Sequence, residues 1–183
     1  MRIIAGEMGG RKIVPPAKMP HTRPTTDVAK EGLFNIVANN LPLDQLKTLD
    51  LFGGTGSITY ELASRGARDL TVVEKDSRMY DFIRKTAKDI GIPNLRIHKA
   101  DVFRFIDHCS EKFDFIFAGP PYALQNIDDL PRLIFEKNLL NPGGWFILEH
   151  TPRNNYAKFP FYKTERNYGT TIFSIFINVN ARE

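Results

Sequence analysis

From Lys47 onward, short apolar runs alternate with helical stretches, and this alternation constrains the fold more than any other feature of the chain. Thr48–Phe52 reads as a strand, Ile58–Ser64 as a helix stopped by Gly66, and Leu70–Glu74 as a second strand. Ser77–Ile90 is predicted helical and ended by Gly91 and Pro93, Leu95–His98 is a third strand, and Val102–Cys109 another helix. Phe113–Ala118 carries apolar residues on both faces, as a central strand of a buried sheet does. Ile127–Leu140 is predicted helical, Gly143-Gly144 to turn the chain, and Trp145–Glu149 to form a fifth strand. This βαβα succession predicts an α/β fold with a mainly parallel, doubly wound sheet. The end differs: Tyr162–Asn167 and Thr171–Val179, joined by Tyr168-Gly169-Thr170, predict an antiparallel hairpin at the sheet edge.

The segment before the alternation is of another kind. Residues 1–24 hold Arg2, Arg11, Lys12, Lys18 and Arg23 against Glu7 alone, so this arm carries the whole net charge of +4. Gly6, Gly9 and Gly10 permit a reversal between Ile3-Ile4 and Ile13-Val14, which predicts a short hairpin. Pro15, Pro16, Pro20 and Pro24 stiffen the connector, and Thr26 or Asp27 can cap a helix running to about Asn39. The expected organisation is a basic arm over 1–24 and a single domain over 25–183. Basicity confined to the arm points to an anionic partner touched there; a solvated loop that happens to carry lysines is the plain alternative.

At 183 residues, 42% hydrophobic and 25% charged, the chain can bury a proper core. No apolar stretch approaches the ~20 residues of a membrane helix, and Met1–Glu7 lacks a secretory apolar segment. A cytoplasmic monomer with no membrane partner is the expectation. Cys109 is the only cysteine, which excludes an intrachain disulfide and a multi-cysteine metal site. The four histidines show no metal-ligand spacing, so no metal is expected.

Chemistry concentrates where predicted strands end. After the first comes Asp50-Leu51-Phe52-Gly53-Gly54-Thr55-Gly56, and the second ends in Glu74. Glycines at a strand-to-helix turn let a ligand lie on bare backbone, and an acid ending the next strand accepts from ribose hydroxyls. S-adenosylmethionine (SAM) and NAD both meet that description. Thr59 stands where a dinucleotide fingerprint wants its third glycine, and Asp50 suits the amino group of a methionine moiety rather than a pyrophosphate, which favours SAM. After the third strand, Asp101 and Val102 are placed to meet an adenine, through the carboxylate and a backbone N–H; taken alone, Asp101 reads first as a helix cap, and the two preceding sites in register favour the adenine contact. After the fourth, Gly119-Pro120-Pro121-Tyr122 offers rigid carbonyls and a stacking ring to a flipped-out base. Cys109, near a helix end, reads as a spectator thiol and not a nucleophile.

The glycine loop, the Pro-Pro-Tyr and above all Arg2-Ile3-Ile4-Ala5-Gly6, Gly10-Arg11 and Arg23-Pro24-Thr25-Thr26-Asp27 with Leu33-Phe34-Asn35 resemble the bacterial RsmD family. That family comprises SAM-dependent methyltransferases of a guanine N2 amine in 16S ribosomal RNA. The resemblance implies a Rossmann-like methyltransferase fold, SAM at Asp50, Gly53, Gly54, Gly56, Glu74 and Asp101, and RNA contact through the arm. Taken together with the residues, the expected arrangement has Pro120, Pro121 and Tyr122 clamping the flipped base and Arg2, Arg11, Lys12 and Arg23 holding phosphates. The partner would be 16S RNA or a small-subunit particle.

One residue departs from the family: Gly119 stands where its motif has an aspartate before Pro-Pro-Tyr. That carboxylate accepts from the target amine, and losing one preorganised partner typically lowers rate by on the order of 10²–10³. Weakened transfer is expected, with Gly119→Asp raising it. Two rivals stand beside this reading. One is a DNA adenine-N6 methyltransferase, for which the chain leaves little room for a target-recognition region; the other is a non-catalytic RNA-binding or ribosome-assembly protein that keeps its SAM pocket.

Overall fold

The computed structural model describes residues 1–19 and 24–180. In chain order the elements are α1 Asp27–Asn40, β1 Lys47–Leu51, α2 Ser57–Ser64, β2 Asp69–Val73, α3 Ser77–Ile90 and β3 Arg96–His98. There follow α4 Val102–His108, β4 Phe113–Ala118, α5 Asp129–Glu136, β5 Leu140–His150, β6 Tyr162–Tyr168 and β7 Thr171–Ile177. The strands form one seven-stranded sheet in the order β3-β2-β1-β4-β5-β7-β6. Pairings from β3 to β5 are parallel, whereas β7 runs antiparallel to both β5 and β6. This is the doubly wound α/β architecture, with the predicted hairpin closing one edge.

Period-two alternation sorts the central strands onto two cores. Phe115, Phe117 and Ile147 face α1 and α2, while Ile116, Ala118, Phe146 and Leu148 face α4 and α5. A strand apolar at every position thus needs helices on both faces, which the crossovers supply. Helix limits follow local chemistry: Thr26 caps α1 by accepting from Ala29 N at 3.2 Å, and Asp76 caps α3 by accepting from Met79 N at 3.0 Å. Gly91, at φ 78°, turns α3 off into a left-handed cap. Among the described residues no helix is long and apolar enough to cross a membrane, and no three His, Cys, Asp or Glu side chains gather to hold a metal ion.

Two expectations are corrected. The helix predicted over Ile127–Leu140 is limited to Asp129–Glu136, because Asn138 takes φ 56° and Leu140 already pairs with Phe113. Gly143-Gly144 does not precede the fifth strand but lies inside it. Between the pairs Phe113↔Leu140 and Phe115↔Trp145, β5 carries extra residues, and the bulge is closed by hydrogen bonds of Gly143 N and Gly144 O with Asn178.

The arm forms the predicted reversal as a single antiparallel bridge, Arg2↔Lys12, and lies against the domain. Ile3 and Ile13 are buried with Tyr60 of α2. The Glu61 carboxylate accepts from the amides of Ile4 at 2.9 Å and Ala5 at 3.2 Å. With the arm on one side and the sheet on the other, every residue of α2 is buried.

Candidate active site

Because β1, β2, β4 and β5 are parallel, their carboxyl ends meet at one edge, and the chain order reverses between β1 and β4. Such a switch point leaves a crevice, since the connections on its two sides diverge to opposite faces. A cavity of about 1060 Å³ opens there, lined by Asp50, Gly53, Gly54, Glu74, Asp101 and Val102 on one side. Gly119, Pro120, Pro121 and Tyr122 line it on the other, so the three predicted clusters share one space.

The glycine loop is built for close approach. Phe52, Gly54 and Gly56 take φ 59°, 58° and 83°, left-handed values that turn the chain sharply out of β1. Phe52 does so with a bulky side chain, and strain of this kind is typical of loops that serve a site. A Cβ at Gly53 would lie 2.5 Å from Val72 Cγ2. Gly56 does not line the cavity; it starts α2 at a point where a Cβ would meet the Tyr60 ring at 2.4 Å, so its work is to seat the helix. Glu74 fastens the loop, accepting from Gly54 N at 2.7 Å through Oε2 and from Asp76 N at 2.9 Å through Oε1.

Asp50 is buried and accepts from Thr59 Oγ1 at 2.7 Å. Burial pushes its carboxyl up to about 7 against the pull of the Thr59 hydrogen bond, and the charges of Glu74 and Glu149 push the same way. Asp101 caps α4 through Oδ1, which accepts from Phe103 N at 2.9 Å and Arg104 N at 3.2 Å, while lining the cavity. The cap uses neither Oδ2 nor the Val102 amide. Tyr122 is exposed at the rim.

The cavity wall is acidic: Asp50, Glu74, Asp76, Asp101 and Glu149 outnumber Lys75 and Arg153. Such a lining attracts a cationic ligand and repels a pyrophosphate. Glu149 and Thr25 were not singled out from the sequence. Glu149 follows the apolar run of β5 as Glu74 follows that of β2, and the same rule applied once more would have found it.

Of the predicted phosphate contacts, Arg2, Arg11 and Lys12 lie outside the cavity. Met1 Sδ accepts from Thr55 Oγ1 of the glycine loop at 3.3 Å, so the arm begins at the rim. Arg2 pairs with Asp27 at 3.0 Å, Lys12 is exposed, and Arg11 reaches the Asp89 carbonyl at 3.4 Å, near the far end of α3. Arg23 falls outside the described residues. Cys109 is half-buried, lies away from the cavity and donates to the Glu111 carbonyl at 3.7 Å; burial pushes its thiol up, which suits a spectator.

This geometry has close counterparts. A ribosomal RNA small subunit methyltransferase D of Buchnera aphidicola is 26% identical, over 98% of this chain and 93% of its own. The protein of that name from Haemophilus influenzae is 31% identical, over 81% of this chain and 78% of its own. The structure of a hypothetical protein from Thermus thermophilus superimposes with a TM-score of 0.84 at 25% identity, covering 96% of this chain and 98% of that one. The model of the family described as Conserved hypothetical protein 95 matches residues 1–177, and the chain belongs to that family, the RsmD family its amino-terminal motif resembles.

Proposed function

We propose that the protein methylates the N2 amine of a guanine in 16S ribosomal RNA, with SAM as methyl donor. The observation that carries this reading is one acidic cavity shared by the glycine loop and the Gly-Pro-Pro-Tyr segment, with the basic arm starting at its rim. The names of the relatives, ribosomal RNA methyltransferases, support the substrate class.

The residues present fit SAM. The cavity exceeds most small-molecule pockets, so it has room for a cofactor and a base together. Gly53 and Gly54 leave backbone bare, and the acidic lining suits a ligand with ammonium and sulfonium charges. When bound, SAM supplies an electrophilic methyl group. Asp50 would hold the ammonium, Glu74 the ribose hydroxyls, and Asp101 with Val102 the adenine edge. Pro120 and Pro121 fix the loop, and the exposed Tyr122 ring stacks on the flipped base. NAD meets the same glycines but brings a pyrophosphate to the acidic wall.

Incubating the purified chain with SAM and small-subunit RNA, free or as particles, is expected to add one methyl group to a single guanine, located by mass spectrometry. Incorporation into duplex DNA instead would mark an adenine-N6 enzyme. Tight RNA binding and SAM binding without transfer would mark a ribosome-assembly protein.

The arm carries its own prediction. Arg11→Ala/Lys12→Ala is expected to weaken RNA binding and to reduce the log–log salt slope by roughly 1 for each phosphate no longer neutralised. An unchanged slope in fluorescence anisotropy titrations excludes these two residues from the RNA path.

A further inference from the structure

We infer that Glu149 supplies the carboxylate that Gly119 lacks, accepting the hydrogen bond of the target amine. This rests on the methyl-transfer reading above.

The register of β4 and β5 pairs Ala118 with Leu148, which sets Gly119 beside Glu149 at the cavity edge. A Cβ built on Gly119 would lie 3.1 Å from Glu149 Oε2 and 3.1 Å from Phe117 Cε1. An aspartate at 119 carries its carboxyl group one bond beyond that Cβ, so Glu149 reaches the same region from the neighbouring strand. Its orientation is held: Oε1 accepts from Thr25 Oγ1 at 2.8 Å, and Oε2 is the oxygen turned to Gly119. Thr25, Glu149, Pro120 and Tyr122 all line the cavity, which puts this oxygen beside the segment that would clamp the base. The absence of a side chain at 119 and the presence of Glu149 are therefore complementary. Any Cβ at 119 presses on Glu149 and Phe117, and an aspartate there would set two carboxylates against each other.

The reaction needs such an acceptor. The guanine N2 lone pair is delocalised into the ring, and a carboxylate on the N–H localises it toward the methyl group. The N–CH3 bond forms as the S–CH3 bond breaks, the electron pair of the broken bond stays on sulfur, and the surplus proton on nitrogen leaves to the Glu149 carboxylate and then to water. The expectation that Gly119→Asp alone raises transfer is accordingly replaced: the added carboxylate helps only once Glu149 is neutral.

Four chains test this: the parent, Glu149→Gln, Gly119→Asp and the double variant. Glutamine keeps the size of Glu149 and an oxygen for Thr25. Cooperative urea unfolding and measurable SAM binding by calorimetry are expected in all four, which verifies folding. Single-turnover methyl transfer to RNA is expected to fall by on the order of 10²–10³ in Glu149→Gln and to be restored in most part by adding Gly119→Asp. Independently of activity, carbon-13 carboxyl NMR of Gly119→Asp is expected to show a second raised carboxyl besides that of Asp50, and the double variant that of Asp50 alone. Transfer by Glu149→Gln at the parent rate overturns the inference. So does a double variant that binds SAM but stays as slow as Glu149→Gln, or a Gly119→Asp titration in which Asp50 is the one raised carboxyl. A parent chain that binds SAM yet methylates no RNA sinks the reaction reading itself, and the role of Glu149 with it.

Discussion

Replacing Glu61 with alanine is expected to lower folding free energy by about 3–5 kcal/mol, as breaking a buried ion pair from one side does, and to release the amino-terminal arm from α2. The Glu61 side chain is fully buried, and its oxygens accept from Ile4 N, Ala5 N and Arg65 Nε at 2.9–3.2 Å. Lys30 Nζ lies 3.9 Å away, also buried, and donates to the Arg2 carbonyl at 2.6 Å and Ser57 Oγ at 3.0 Å. Burial pulls the Lys30 ammonium down and the Glu61 charge pushes it back up. Alanine at 61 thus strands a buried cation and two arm amides together. Urea unfolding should show a midpoint well below the parent, and Glu61→Gln, which keeps an acceptor and the volume, should lose less. Because the same contacts seat Met1 on Thr55, RNA affinity is expected to fall here as well as in Arg11→Ala/Lys12→Ala. An unchanged midpoint for Glu61→Ala would mean that the arm and α2 are energetically independent.

The docking of the arm marks the boundary between what the residues alone revealed and what needed coordinates. The alternation of strand and helix was legible because β4 and the Trp145–Leu148 run of β5 are apolar at both phases, while Thr26, Asp76 and Asp101 cap α1, α3 and α4 and Gly91 stops α3. Asp50, Glu74, Asp101 and the Pro-Pro segment were legible for a related reason: parallel strands deliver their carboxyl ends to one edge, so position along the chain already implies position in space. Glu61 carries no such sign. In α2 it reads as a surface carboxylate, and only the folded-back arm buries it. Gly143-Gly144 misled for a similar reason, since a glycine pair that marks a turn in sequence also serves a bulge once a neighbouring strand dictates register. Glu149 ends an apolar run as Glu74 does, but its place beside Gly119 required the β4–β5 register, which no local pattern encodes. Gly56 was legible as a glycine the loop requires, but its partner is the Tyr60 ring and not the cavity.

Asp50 carries the second large effect, with opposite signs for stability and for ligand binding. Its folded carboxyl is pushed up from 3.8 to about 7. Below 3.8 the folded and unfolded chains both hold the proton, and burial exacts no electrostatic penalty. Between 3.8 and about 7 the unfolded chain releases the proton while the folded chain keeps it, so stability declines as pH rises. Above about 7 the loss is complete, of order 4 kcal/mol from the size of the shift. Asp50→Asn removes this dependence and retains an oxygen for Thr59, so the variant should be the more stable protein at neutral pH. Its advantage in urea unfolding should widen by roughly 3 kcal/mol between about pH 5 and about pH 8. The ligand reverses the sign. A bound ammonium needs Asp50 ionised, so SAM affinity in the parent should rise with pH, approaching tenfold per unit below about 7, and level off above it. In Asp50→Asn that rise should vanish and affinity should fall. Calorimetric titrations across this range decide the matter. A parent whose SAM affinity is flat in pH would remove Asp50 from the ligand's amino end, and an Asn variant whose stability advantage over the parent is no larger at high pH than at low would overturn the raised Asp50 carboxyl.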